Sequence, residues 1–205
     1  MAITIECRPN GPYLVKGLER LDGPAGEPLK AEPVMALCRC GGSSNKPYCD
    51  ATHKKNGFSG ARVGGGPSDK LDVYRAPGIT LNDNRSICAH AGHCTDGLAS
   101  VFKYGSKPWI DPAGGTPKAI AAVVARCPSG ALTCSVDGES PQAEAGPARI
   151  HVAKGGPYEV RGPVELVDAP WAQGAPRDRY TLCRCGQSKN KPFCDGTHWD
   201  LPGWD

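Results

Sequence analysis

Large side chains are scarce in this sequence: 205 residues hold only three Phe, six Tyr and four Trp. Glycine and proline occupy much of the rest, with 27 and 20 copies. A chain so composed has too little bulk for one large core, and small loop-rich units need staples. No run of about 18 apolar residues occurs, which argues against a membrane-spanning helix. The opening MAITIECRPNGPY lacks a basic stretch followed by an apolar one, so no secretory leader is expected. The net charge is only +3, with no long basic run, which argues against nucleic-acid binding. Nucleophile–base pairs, phosphate loops, dinucleotide fingerprints and hydrolytic metal motifs are missing too, so substrate turnover is not expected. The glycines Gly64 to Gly66 precede no helical pattern and read as linker.

Cysteine is what the chain has in abundance. Eleven cysteines, an odd number, without an export signal point to metal chemistry in a reducing, cytoplasmic setting rather than to disulfides.

Most of them fall in a duplication. LCRCGGSSNKPYCDATH (Leu37 to His53) and LCRCGQSKNKPFCDGTH (Leu182 to His198) agree at 13 of 17 positions, 145 residues apart. The same offset carries Gly11-Pro12-Tyr13 onto Gly156-Pro157-Tyr158, and Val15, Gly17 and Leu21 onto Val160, Gly162 and Leu166. A unit of about 50 residues is therefore present twice. Ile3 to Ile5, Tyr13 to Val15, Ile150 to Val152 and Tyr158 to Val160 read as strands, while Asp22 to Pro33 and Asp168 to Arg179 read as loops. Neither copy buries much alone, so the two are expected to dock into one shared β-sandwich.

The expected organisation is a first unit at 1–58, a linker at 59–70, a middle unit at 71–136, a linker at 137–147 and a second copy at 148–205. In the middle unit Asp72 to Thr80 reads as a strand and Thr95 to Phe102 as a short helix. Pro117 to Arg126 is the best helix, with Thr116 as its N-cap, and Ala131 to Val136 is a strand. The order reads strand, cysteine loop, helix, strand, helix, strand.

Cys38, Cys40, Cys49 and His53 follow the spacing C-x-C-x8-C-x3-H, and Cys183, Cys185, Cys194 and His198 repeat it. Three soft thiolates and an imidazole suit either an iron–sulfur cluster or a structural zinc ion. One residue between the first two cysteines lets both reach one iron, leaving the third cysteine and the histidine for another. Zinc modules usually place two to four residues between paired ligands, which ranks zinc second. In the middle unit, Cys88 and Cys94 flank C-A-H-A-G-H-C, a ferredoxin-like C-x2-C-x2-C run with Ala91 at its centre, and Cys127 is followed by Pro128. Three thiolates at the corners of a cuboidal cluster point to [3Fe-4S]. The alternatives are [4Fe-4S], its fourth iron taking His90, His93, water or Cys134, and a metal-free domain. Nearby histidines more often bond to sulfide or face water than ligate. Cys7, Cys134 and the four tryptophans read as packing residues, and Lys46 and the run Lys189 to Lys191 as positive charge that either compensates anionic clusters or docks a partner.

The terminal sets resemble the CDGSH iron–sulfur family, the mitoNEET-like proteins, through C-x-C-x2-[ST]-x3-P-x-C-D-G-[STA]-H. The second copy satisfies every position; the first departs once, with Ala51 for Gly. The resemblance implies one [2Fe-2S] cluster in each copy, held by three Cys and one His, and a dimeric β-cap arrangement. Here that would be an intramolecular pseudo-dimer: a β-rich α+β fold with an inserted small α+β ferredoxin-like domain. The middle unit resembles divergent single-cluster ferredoxins through C-A-H-A-G-H-C, Lys107-Pro108-Trp109-Ile110 and Arg126 to Leu132. The function so implied is one-electron, proton-coupled transfer between redox partner proteins, by a monomer that engages neither membrane nor nucleic acid. Cluster storage or delivery to apo acceptors and redox or iron sensing are the alternatives, and a structural zinc protein is the minor one. Because reduction takes a two-iron site from about −1 to −2, a proton on His53 or His198 would offset the added charge. Both clusters are accordingly expected to be lost at mildly acidic pH, and His→Cys replacement to stabilise them.

Overall fold

The computed structural model describes residues 2–140 and 146–204; residues 141–145 of the expected linker at 137–147 lie outside the described residues. Short strands dominate and helices are few. The first part contributes β1 (Ile3–Cys7), β2 (Tyr13–Lys16), β3 (Leu21–Asp22), β4 (Pro28–Leu29) and β5 (Val34–Leu37). The middle contributes β6 (Asp72–Ala76), β7 (Ile79–Asp83) and β8 (Leu132–Val136), with helices α1 (His93–Gly97) and α2 (Pro117–Ala125). The last part contributes β9 (Arg149–Val152), β10 (Tyr158–Arg161), β11 (Val164–Leu166) and β12 (Arg179–Leu182). No helix among the described residues is long and apolar enough to cross a membrane.

Strand alternation decides which side chains meet. In β2 and β10, Tyr13, Val15, Tyr158 and Val160 point inward while their neighbours face outward. Each half forms an antiparallel meander, β1-β2-β5 and β9-β10-β12. Each meander is then completed by the other half. β11 pairs in parallel with β1, setting Ile3 opposite Val164 and Ile5 opposite Leu166, and β3 pairs in parallel with β9, setting Leu21 opposite Ile150. The exchange covers two edges that would otherwise offer unpaired backbone groups. One apolar cluster, including Ile5, Leu37, Ile150, Val164 and Leu182, fills the space between the sheets. At its centre Tyr13 and Tyr158 meet edge to face, ring centroids 6.0 Å apart.

Several expected elements are shifted. The stretch Asp22 to Pro33, read as loop, begins in β3 and contains β4, strands too short to show a periodicity. Asp72 to Thr80 is not one strand: the chain turns at Pro77-Gly78, where Gly78 takes φ +75°, and β6 and β7 pair as a hairpin. The helix expected over Thr95 to Phe102 starts earlier and stops at Gly97. Gly92, at φ +78°, opens it, and the Thr95 hydroxyl donates back to the Gly92 carbonyl from inside the helix. The strand expected between the helices is reduced to a single bridge, Phe102 to Ile110. α2 stands where the sequence placed it. The Thr116 hydroxyl accepts from the Ala119 amide at 3.2 Å, and Ile120, Val123 and Val124 form the buried face. That face packs with Leu81, Phe102 and Leu132 in a second core. Trp109 and Trp171 pack as expected, but Trp199 is exposed.

Buried Asp83 gives the middle core a pH dependence. Its Oδ2 accepts from Trp109 Nε1 at 3.0 Å, while Oδ1 has no partner, and burial raises its pKa to about 6. A folded-state value above the unfolded one means that the associated stability is full at low pH and is lost as pH rises toward 6. Asp83→Asn keeps an acceptor for Trp109 and is expected to stabilise the protein by about 1–3 kcal/mol at pH 7. Denaturant unfolding at pH 7 and pH 4 checks this, since the gain should vanish at the lower pH.

Candidate metal centres

Each terminal cysteine loop leaves the last strand of its meander. After β5 the chain runs through Cys38 and Cys40, turns at Gly41 and returns so that Cys49 N–H donates to the Ala36 carbonyl. After β12 the same path places Cys194 N–H on the Thr181 carbonyl. A short 3₁₀ turn then carries the histidine back over the third cysteine. Asp50 and Asp195 fix these turns. Asp50 accepts from the Thr52 and Ser44 amides, and Asp195 from those of Thr197 and Lys189. Hydrogen bonds, led by Thr52, hold the Asp50 carboxyl well below the usual carboxylate range.

The candidate ligand atoms arrive in pairs. Cys38 and Cys40 Sγ lie 3.8 Å apart, and Cys183 and Cys185 Sγ 3.7 Å. Cys49 Sγ lies 3.4 Å from His53 Nδ1, and Cys194 Sγ 3.4 Å from His198 Nδ1. Two thiolates on one tetrahedral metal, each at about 2.3 Å, sit about 3.8 Å apart; a thiolate and an imidazole nitrogen sit about 3.6 Å apart. Each pair therefore has the spacing of two ligands on one metal. Among the described residues no three His, Cys, Asp or Glu side chains gather closely enough to hold a metal ion. Two half-sites per loop suit a two-metal group better than one tetrahedral ion.

Across the molecular centre the two loops touch. A Cβ on Gly41 would lie 2.5 Å from the Cys185 carbonyl oxygen, and one on Gly186 would lie 2.6 Å from that of Cys40. Tyr13 Oη donates to the Cys183 carbonyl at 2.8 Å, and Tyr158 Oη to the Cys38 carbonyl at 2.9 Å. Each tyrosine thus props the cysteine loop of the opposite half.

The loops differ in surroundings. Cys40, Cys49 and His53 are partly exposed, whereas Cys185, Cys194 and His198 are buried. Burial raises the Cys194 thiol far above its ordinary value and lowers His198. The hydrogen bond from Cys183 brings Cys185 down to about 7. Buried thiols that resist ionisation gain most from a cation, which couples metal binding to folding. Lys191 is buried with its ammonium on the Ser188 carbonyl, so it is no docking charge; Lys46 is exposed beside Trp204.

Cys88, Cys94 and Cys127 line one cavity of about 500 Å³, and burial pushes the Cys88 thiol up to about 11. Ala91, His90 and His93 line it too, so the structure gathers the expected middle residues in one place. Cys134 lies outside this lining, buried in β8 and packed in the second core. Arg85, over the face of Trp109, brings a positive charge to the cavity that sequence reasoning did not single out. The opposite wall belongs to the second terminal loop, including Gly196 and Trp199.

Two families match these segments. Residues 10–54 and 155–199 match the iron-binding zinc finger of CDGSH type, and residues 74–137 match the divergent 4Fe-4S mono-cluster family. The uncharacterized protein YjdI of Escherichia coli K12 is 38% identical over 64 residues, which cover 31% of this chain and 74% of that protein. YjdI of E. coli O157:H7 matches to the same extent. No solved structure matches the chain.

Proposed function

We propose, starting from the fact that the chain belongs to the CDGSH-type iron-binding family and carries a divergent 4Fe-4S mono-cluster domain between its two modules, that it is a multi-cluster electron carrier. In this reading Cys38, Cys40, Cys49 and His53 hold one [2Fe-2S] cluster, and Cys183, Cys185, Cys194 and His198 hold a second. Cys88, Cys94 and Cys127 hold a cubane-type cluster. The family name favours [4Fe-4S] there, and the count of three thiolates favours [3Fe-4S]. Each cluster supplies a one-electron couple when bound. The chain's own residues exclude water, hold the thiolates in pairs and set the local charge.

The observation that carries the proposal is the pairing of ligands at single-metal spacing in both loops. It favours a two-iron cluster over the minor alternative of structural zinc. The parallel exchange of β3 and β11 between halves supports the internal pseudo-dimer. We place the protein in a reducing, cytoplasmic compartment, acting as a monomer on redox partner proteins, without turnover of a substrate. Cluster delivery to apo acceptors is the second reading, and the partial exposure of Cys49 and His53 favours it.

Iron, sulfide and paramagnetic resonance measurements on the purified protein test the assignment. About seven irons and an oxidised signal near g = 2 (about 2.01) are expected for [3Fe-4S], and about eight irons without that signal for [4Fe-4S]. A colourless protein holding zinc would sink the proposal. Growth of the colour of an added apo-ferredoxin at the expense of this protein's would select delivery.

A further inference from the structure

The two terminal modules repeat one sequence, yet among the described residues the middle ligand loop leans on the second of them. His90 presses on Gly196, so that a Cβ there would lie 2.6 Å from His90 Cδ2. Gly196 sits between the ligands Cys194 and His198, and the His90 amide donates to Cys88 Sγ at 3.4 Å. One van der Waals contact therefore joins the two ligand loops. A second tie lies beside it: Asn190 Nδ2, in the second terminal loop, donates at 2.6 Å to the carbonyl of Ser86, two residues before Cys88. The cavity of the middle thiols is closed on that side by the Asp195 to Asp200 segment.

Among the described residues nothing equivalent happens at the first module. Ala51 and Asn45, which occupy the positions of Gly196 and Asn190, are exposed. Ala51 adopts φ 69° and ψ 10°, close to the φ 85° and ψ −5° of Gly196. The backbone conformation thus admits alanine at either site, at the cost of left-handed strain. At Gly196, by contrast, a methyl group would press into the His90 ring, which would have to shift. The first copy's one departure from the family pattern, Ala51, marks the copy that the middle unit does not touch through this contact. The first loop, in turn, meets the second back to back through Gly41 and Gly186.

We infer that the three ligand sets stand in series: the middle set is joined to the second terminal set through His90 and Gly196, and reaches the first terminal set only through the second. The inference rests on the reading of all three sets as iron–sulfur sites. His90 is a positioning residue in it, holding two loops in register. An ordered chain has two distinct ends, the middle cavity and the partly exposed Cys49–His53 side, in place of three equivalent ports.

Magnetic coupling between reduced clusters reads this order directly, because dipolar coupling falls with the cube of distance. The measurement uses the intact, iron-loaded protein reduced with dithionite, in which the middle cluster is paramagnetic as either type. Cys38→Ser/Cys40→Ser, which removes the first terminal site, is expected to retain a two-iron signal broadened by a fast-relaxing neighbour. Cys183→Ser/Cys185→Ser is expected to leave a narrow, isolated two-iron signal. Equal spectra from both variants would overturn the series. If either variant fails to fold, Gly196→Ala in an otherwise intact chain decides: its methyl group displaces His90 and is expected to weaken the broadening. Ala51→Gly should leave it unchanged, and an unaltered spectrum in Gly196→Ala would overturn the role of the contact. A protein without iron or any reduced signal would overturn the iron–sulfur reading itself. Iron present with uncoupled or equally coupled signals would overturn only the order.

Discussion

Gly41→Ala is expected to destabilise the whole protein by about 2–5 kcal/mol and to loosen both terminal ligand loops together. Two effects add. Gly41 has φ +76°, where an L side chain costs roughly 1–2 kcal/mol. Its methyl group would also meet the Cys185 carbonyl at 2.5 Å, a backbone obstacle that cannot rotate away; overpacking of that kind costs about 1–3 kcal/mol. Gly186→Ala should behave alike, because it meets Cys40 in the same way. Gly57→Ala provides the comparison, with φ +69° and no neighbour within 4 Å, so only the conformational part should appear. Unfolding of the loaded proteins, followed by circular dichroism and visible absorption, separates the cases. If all three variants lose the same stability, the back-to-back contact contributes nothing.

Acidification is expected to bleach the two terminal sites in separate steps, the buried His198 site being the more resistant. His198 is only 5% exposed, and its burial, with Arg184 nearby, disfavours the imidazolium that would release it. His53 is partly exposed to solvent protons. Both clusters are still expected to be lost at mildly acidic pH, and their different surroundings separate the two losses. His53→Cys should abolish the first step and His198→Cys the second, leaving the other untouched. Visible absorption between pH 7 and 4.5 checks it. A single step of full amplitude, halved by either variant, would refute the distinction.

What the sequence revealed, and what it concealed, follows from how local each feature is. Candidate ligand sets are legible because a metal demands fixed residue types at short spacing. Cys38 to His53 and Cys183 to His198 could therefore be read without a fold, and so could the gathering of Cys88, Cys94 and Cys127. α2 was legible because Thr116, Pro117 and a periodic apolar face agree within ten residues. The strand exchange was not. β3 spans two residues and β11 three, too few for a period, and their partners lie more than 100 residues away. Shared burial suggested that the halves would dock, but not which strands would cross. Nor could motifs with the same ligands disclose their different neighbours: Ala51 against Gly196 was a trace, readable only once His90 is seen against Gly196.

The exchange also has a consequence in time. While the chain is being synthesised, residues 1–58 can form β1, β2 and β5, but β1 keeps an open edge until Val164 to Leu166 have emerged. The hairpin of β6 and β7 and the helices of the middle unit close over shorter loops and can form sooner. The middle unit can therefore be complete before the first terminal module, whose β1 edge stays uncovered in the interval. Such a partly closed sheet is prone to pair with another chain. Slow synthesis, or separation of the two halves onto different chains, is thus a route to strand-swapped oligomers built from the same pairings that close the monomer.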